Sequence, residues 1–184
     1  MEKLERKILN WIEDPKKFSK NPVFFTTNFF PEKMPTAHLN LRTLKCIKKN
    51  ELSKDEITIY MFWLCERSNE VCVEGIIHTG HDFSAAGEVV DLNINVPLNR
   101  ENASDTFCVL IYEVDMPALL DFHDPIGLAS FHQNQGIAVY DGDFRKVEIP
   151  RVYSFQYDSM AEVDFDAGLD GNYKLSINIK KDNK

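Results

Sequence analysis

Glu113 and Asp115 close an apolar run, Val109-Leu110-Ile111-Tyr112, with one residue between them. Asp121 and Asp124 follow, and Ile126-Gly127 then opens a new apolar stretch. Four carboxylates around one strand-to-strand connection repel each other unless a positive charge sits among them. A hard divalent cation bound through oxygen, above all calcium, would supply that charge. An acidic surface loop with solvated charges is the competing reading.

Other side chains with chemical potential are sparser. His78 and His81 stand three residues apart and, with Cys65 or Cys72, could ligate zinc. No second ligand pair has metal spacing, so the zinc reading is weak. Asp164-Phe165-Asp166-Ala167-Gly168-Leu169-Asp170-Gly171-Asn172 resembles a short calcium loop, but it lacks the EF-hand spacing and its terminal Glu. It reads as a turn rich in Gly and Asp. There is no Gly-x-Ser-x-Gly, no phosphate-cradling glycine loop and no His-Glu-x-x-His. Nothing marks two carboxylates as an acid–base pair. The sequence therefore reads as that of a binding protein, not an enzyme.

The elements that must position the acidic groups are short strands. His38–Ile47 alternates, with Leu39, Leu41 and Thr43 readable on one face and room for a phase shift before Leu44 and Cys46. Ile57–Leu64, Val71–Ile77 and Val89–Val96 follow, the last with Val90, Leu92, Ile94 and Val96 on one face. Thr106–Tyr112 is almost continuously apolar and reads as a central strand. Ile126–Phe131, Ile137–Tyr140, Val152–Tyr157 and Tyr173–Ile179 complete the set, while 78–87 and 97–105 read as loops. The pattern is that of a mainly β, antiparallel two-sheet sandwich of about eight strands.

Before the strands, Leu4, Ile8, Trp11 and Ile12 recur at helical spacing over 3–13, and Asp14-Pro15 ends that helix. Residues 15–36 hold Pro15, Pro22, Pro31 and Pro35 with Val23-Phe24-Phe25 and Phe29-Phe30. This reads as an extended strap whose aromatics dock on the body. An exposed partner-binding patch is the other reading. Two parts follow: a helix and Phe-rich strap over 1–36, and a β-sandwich domain over 37–184.

The net charge of −8 argues against nucleic-acid binding, which needs clustered cations to replace phosphate counterions. Residues 1–54 carry 12 Lys/Arg against 6 Asp/Glu, and residues 55–184 carry 9 against 23. A basic beginning thus precedes an acidic body. It could pack on that body, meet a partner, approach anionic lipid, or simply be solvated. No secretory signal and no transmembrane segment is read from the sequence. Cys46, Cys65, Cys72 and Cys108 lie in apolar strands without Cys-x-x-Cys spacing and read as buried free thiols. The expected location is the cytoplasm, or outside it after export without a signal peptide.

The order of these pieces resembles the C2 domain, the calcium- and phospholipid-binding β-sandwich family. Glu51-Leu52-Ser53-Lys54-Asp55-Glu56-Ile57 is similar to the family's first calcium loop, with Asp55 taking the motif Asp. Tyr112-Glu113-Val114-Asp115, followed by Asp124-Pro125-Ile126-Gly127, is similar to the third. These loops join strands one to two and five to six, which is the connectivity of the family's circularly permuted form. The match spans roughly residues 37–180.

Three departures bear on calcium. Glu51 and Asp55 stand where two Asp are usual, Glu113 replaces an Asp, and Pro117-Ala118-Leu119-Leu120 lengthens the third loop. The resemblance implies Asp55, Glu113, Asp115 and Asp124 as carboxylate ligands, with Asp121 and Glu51 as additional ones. It implies that His78, His81 and Asp82 border the same site. It also implies a membrane-inserting tip at Leu119, Leu120 and Phe122, which could instead cap the sandwich end. The expected function is non-catalytic binding of a membrane or protein partner at the acidic loop end. The alternative is a metal-free structural or interaction protein, such as a secreted effector or assembly component, that works through its N-terminal segment.

Overall fold

The computed structural model describes residues 37–49, 54–67, 70–98, 106–114, 123–132, 136–144, 146–147, 149–168 and 171–181. The expected helix at 3–13 and the Phe-rich strap lie outside the described residues. Period-two alternation builds β1 (Ala37–Lys48), β4 (Val89–Leu98), β9 (Met160–Asp166) and β10 (Asn172–Lys181). They form one antiparallel sheet in the order β4-β1-β10-β9. The nearly continuous apolar runs become β2 (Asp55–Arg67) and β5 (Thr106–Val114). With β3 (Glu70–Phe83), β6 (His123–His132), β7 (Gly136–Asp141) and β8 (Arg151–Tyr153) they form a second antiparallel sheet, β3-β2-β5-β6-β7-β8.

The two sheets pack over one core. Leu39, Leu41, Leu44, Val163, Leu175 and Ile177 come from the four-stranded sheet; Ile57, Met61, Val109, Ile111, Ile126 and Val139 come from the six-stranded one. The phase shift expected near Leu44 is a β-bulge: the register of β1 slips between Leu41 and Thr43 against both β4 and β10. The extra residue lets Leu41 and Leu44 both point inward while Arg42 stays exposed. Opposite the slip on β4, Asn93 takes a φ of 50°, a left-handed conformation that Asn tolerates.

The two-sheet antiparallel sandwich agrees with the sequence reading, but the described residues hold ten strands where about eight were expected. The strand that no segment of the sequence reading anticipated is β9, Met160–Asp166, which the acidic residues Glu162, Asp164 and Asp166 disguised. Its inward positions, Val163 and Phe165, are 0% and 1% exposed. The stretch expected to be a loop at 78–87 is instead β3 as far as Phe83, because Asp82, His81 and His78 continue to pair with Glu56, Ile57 and Ile59. Strand β4 likewise runs on through Pro97 and Leu98. The strand expected over 152–157 shortens to Arg151–Tyr153.

This three-residue edge is pinned by side chains. The Arg151 guanidinium donates Nε and Nη2 to the two carboxylate oxygens of Asp141, at 2.5 Å each, and Nη2 also donates to the Asp164 carbonyl at 2.6 Å. One residue thereby ties β7, β8 and β9 together. No helix of the described residues is long and apolar enough to cross a membrane.

Candidate functional site

Every odd strand runs toward one end of the sandwich and every even strand leaves from it, as the antiparallel registers require. The connections β1–β2, β3–β4, β5–β6, β7–β8 and β9–β10 therefore share one pole. Residues 115–122 link Val114 to His123, which are paired at that pole. The first and third acidic connections are thus brought to the same end.

Asp55 opens β2 with the same parity as the inward residues Ile57, Ile59 and Met61, and it is 0% exposed. Glu113 lies opposite Ile57 on β5, in phase with the inward residues Val109 and Ile111, and is 2% exposed. Two carboxylates therefore stand on the inner face at the mouth of the sandwich. Tyr173, the inward residue at the start of β10 in the other sheet, donates its hydroxyl to Asp55 Oδ2 at 2.6 Å. This hydrogen bond crosses between the sheets and fixes the Asp55 carboxylate.

Burial, the hydrogen bond to Asp55, and then the negative charge of Asp55 and Glu113 push the Tyr173 phenol well above its usual range. Its ring packs edge-on against Phe83, with centroids 5.5 Å apart, and Phe83 meets the His81 ring at 4.9 Å. Cys46, paired with Tyr173 in register, is buried beside it, and burial raises its thiol pKa.

The β3–β4 connection is held rigidly. Glu88 Oε2 accepts the backbone N–H of Ser84 at 2.7 Å and of Ala85 at 3.3 Å, while His81 Nε2 lies 3.4 Å from Oε1. The Ser84 N–H above all holds the Glu88 carboxyl below the ordinary carboxylate range. Backbone bonds from Cys46 N to Glu88 O and from Gly87 N to Cys46 O lock the turn onto β1. Gly87 sits at φ +92°, the conformation such a turn requires.

The structure thus sets Asp55 and Glu113 on the inner face at one pole, with the Asp124 backbone opposite Glu113. Glu51, Asp115 and Asp121 lie outside the described residues, as do Leu119, Leu120 and Phe122. His81 and Asp82 border the pole on β3, where Asp82 pairs with Lys54 at 3.5 Å. Among the described residues no three of His, Cys, Asp or Glu converge closely enough to hold a metal ion. Asp164 and Asp166 lie in β9, and the following turn is closed by Gly168 N–H on Asp166 Oδ1 at 2.9 Å. Tyr173 and Glu88 carry no signal in the sequence as pole residues. Alternation gave Tyr173 its inward face, but its partner is set by how the two sheets stack.

No family model matches the chain, and no curated protein matches it. Among solved structures, a C2 domain of plant extended synaptotagmin 1, the first of its lettered series, is similar at 8% identity. The match covers 84% of this chain and 100% of that one, with a TM-score of 0.36. At that level the likeness says nothing about what this chain binds.

Proposed function

We propose that the chain is a non-catalytic, C2-like binding module whose acidic pole takes calcium and with it engages a membrane or protein partner. One observation carries this reading: the antiparallel registers bring the acidic connections to a single pole, and Asp55 and Glu113 stand buried on the inner face there. Oxygen donors of this kind suit a hard cation, and calcium accepts carboxylates in flexible geometry. Asp55, Glu113, Asp115 and Asp124 would hold the ion, with Asp121 and Glu51 as further donors. The Tyr173 hydroxyl engages Oδ2 of Asp55, which orients the carboxylate and keeps its position fixed. When bound, the ion would neutralise the mutual repulsion of the loops and present a positive charge to anionic headgroups.

A metal-free interaction scaffold is the second reading. It is favoured by the complete burial of Asp55, since a carboxylate held by a phenol across two sheets can serve the fold alone. Co-sedimentation with phosphatidylcholine–phosphatidylserine vesicles separates the two. The first reading expects pelleting with calcium that is lost in chelator and in Asp115→Asn. Pelleting that persists in chelator would move the contact to the basic N-terminal segment. No pelleting under either condition would remove the membrane partner.

A further inference from the structure

The outer face of the four-stranded sheet is polar where β9 and β10 lie side by side. The outward positions of β10 include Lys174, Ser176 and Asn178, and those of β9 include Glu162, Asp164 and Asp166. One residue breaks the pattern. Met160 opens β9 with the same parity as the three carboxylates and is 50% exposed. A thioether left half in water gains little from burial, so packing does not account for its place here.

Two N–H donors address its sulfur instead. Arg42 Nη1 stands 3.7 Å from Met160 Sδ, and Asn178 Nδ2 stands 3.9 Å from it. The fold supplies both. Asn178 is the direct partner of Met160 in the β9–β10 ladder. Arg42 is the extra residue of the β1 bulge, where the register slips between Leu41 and Thr43. The bulge leaves Arg42 exposed, and its guanidinium crosses over β10 to reach the edge strand β9. The carboxylates beside Met160 do not draw it away. Lys174 Nζ holds them, at 2.9 Å from Glu162 Oε2 and 3.5 Å from Asp164 Oδ1.

Donors and acceptor are mismatched at this point. A thioether sulfur is a weak acceptor, whereas guanidinium and amide N–H groups are strong donors. A sulfoxide replaces one sulfur lone pair with an oxygen, a polar acceptor that stands one bond nearer to the donors. The cradle of Arg42 and Asn178 therefore suits the oxidised side chain better than the reduced one. Access points the same way. Among the described residues the other methionine is Met61, which is 1% exposed in the inner core.

We infer that Met160 is an oxidation site whose sulfoxide is held by Arg42 and Asn178. The oxidant is of the hydrogen peroxide class. A sulfur lone pair attacks one peroxide oxygen, the S–O bond forms as the O–O bond breaks, and the departing hydroxide takes the proton of the transferred oxygen and leaves as water. Sulfur gives up two electrons and the peroxide gains them. The new oxygen accepts from both donors and links β1, β10 and β9 across their outer face. Methionine oxidation ordinarily disrupts its surroundings; at this position it fastens the edge strand to the sheet.

The test is treatment of the full chain with dilute hydrogen peroxide, with sites mapped by mass spectrometry and thermal midpoints taken before and after. The wild type, Met160→Leu and the double variant Arg42→Ala with Asn178→Ala are compared. Met160 should gain one oxygen while Met61 gains none. Met160→Leu undergoes the same treatment at every other methionine and cysteine, so its shift is subtracted from the other two. The remaining shift should be more favourable in the wild type than in the double variant by about 2–4 °C, the effect of one net hydrogen bond in a chain of this length. Met160 left unoxidised, Met61 oxidised as readily as Met160, or a remaining shift that is equal in the wild type and the double variant would each overturn the inference.

Discussion

Tyr173→Phe isolates the bond that ties the two sheets at the acidic pole. The substitution keeps the ring, its 5.5 Å contact with Phe83 and its inward packing, and removes only the hydroxyl that donates to Asp55. Asp55 is 0% exposed, so water cannot replace the lost donor without entering the core. Hydrogen bonds to charged groups contribute about 1.5–3 kcal/mol, and the loss is expected in that range. For a chain of this length each kcal/mol moves the midpoint by about 2–4 °C, so a fall of about 3–12 °C is expected. Asp55→Leu alone should cost a comparable amount, because it leaves the Tyr173 hydroxyl buried without its acceptor. The double variant should cost less than the sum of the two, since the bond between Tyr173 and Asp55 is lost only once. Urea unfolding followed by far-UV circular dichroism supplies the cycle. Additive single effects, or a Tyr173→Phe protein as stable as the wild type, would mean that this bond does not tie the two sheets.

Two other outcomes follow from groups whose environment is fixed by the fold. Stability should fall as pH rises above about 9 and more steeply above about 10, the ordinary ranges of Cys and Tyr. Cys46, Cys108, Tyr60 and Tyr173 all have folded-state pKa values raised by burial, so the unfolded chain loses these protons first and their contribution disappears with rising pH. Tyr173→Phe should flatten the upper part of that curve, and an unchanged slope in urea titrations between pH 9 and 11 would contradict the assignment. Gly127→Ala should destabilise by about 1–3 kcal/mol, as overpacking does. An added Cβ would stand 2.9 Å from the Tyr140 carbonyl oxygen and 2.8 Å from Phe165 Cδ1, and the backbone cannot give way as a side chain can. A thermal melt equal to that of the wild type would count against the close approach.

What the sequence disclosed depended on whether the information was local. Alternation in His38–Ile47 and Tyr173–Ile179, and the break before Leu44, were legible because side-chain period and bulge are properties of a few consecutive residues. The continuous run Thr106–Tyr112 announced a central strand, and β5 indeed lies between β2 and β6. Strand β9 was missed because three carboxylates in seven residues look like a turn, yet they occupy only the outward positions beside Val163 and Phe165. The reach of β3 to Phe83 was missed because Gly80 and two histidines weaken local propensity, and pairing with β2 overrides it. At the pole, the sequence supplied the carboxylates but not their depth. That Asp55 and Glu113 lie on the inner face follows from the register between Ile57 and Glu113, and that Tyr173 meets Asp55 follows from sheet stacking, neither of which a single sequence encodes locally.

Calcium titration of the full chain by isothermal calorimetry decides whether the acidic pole is a cation site. Saturable binding at sub-millimolar calcium is expected, abolished by Asp115→Asn and weakened by Glu113→Gln. The melting midpoint should rise with calcium, with about 2.7 kcal/mol of added stability at a hundredfold excess over the dissociation constant. A flat thermogram, with a midpoint indifferent to calcium in both the wild type and Asp115→Asn, would contradict the cation site and leave Asp55 and Glu113 as parts of the fold alone.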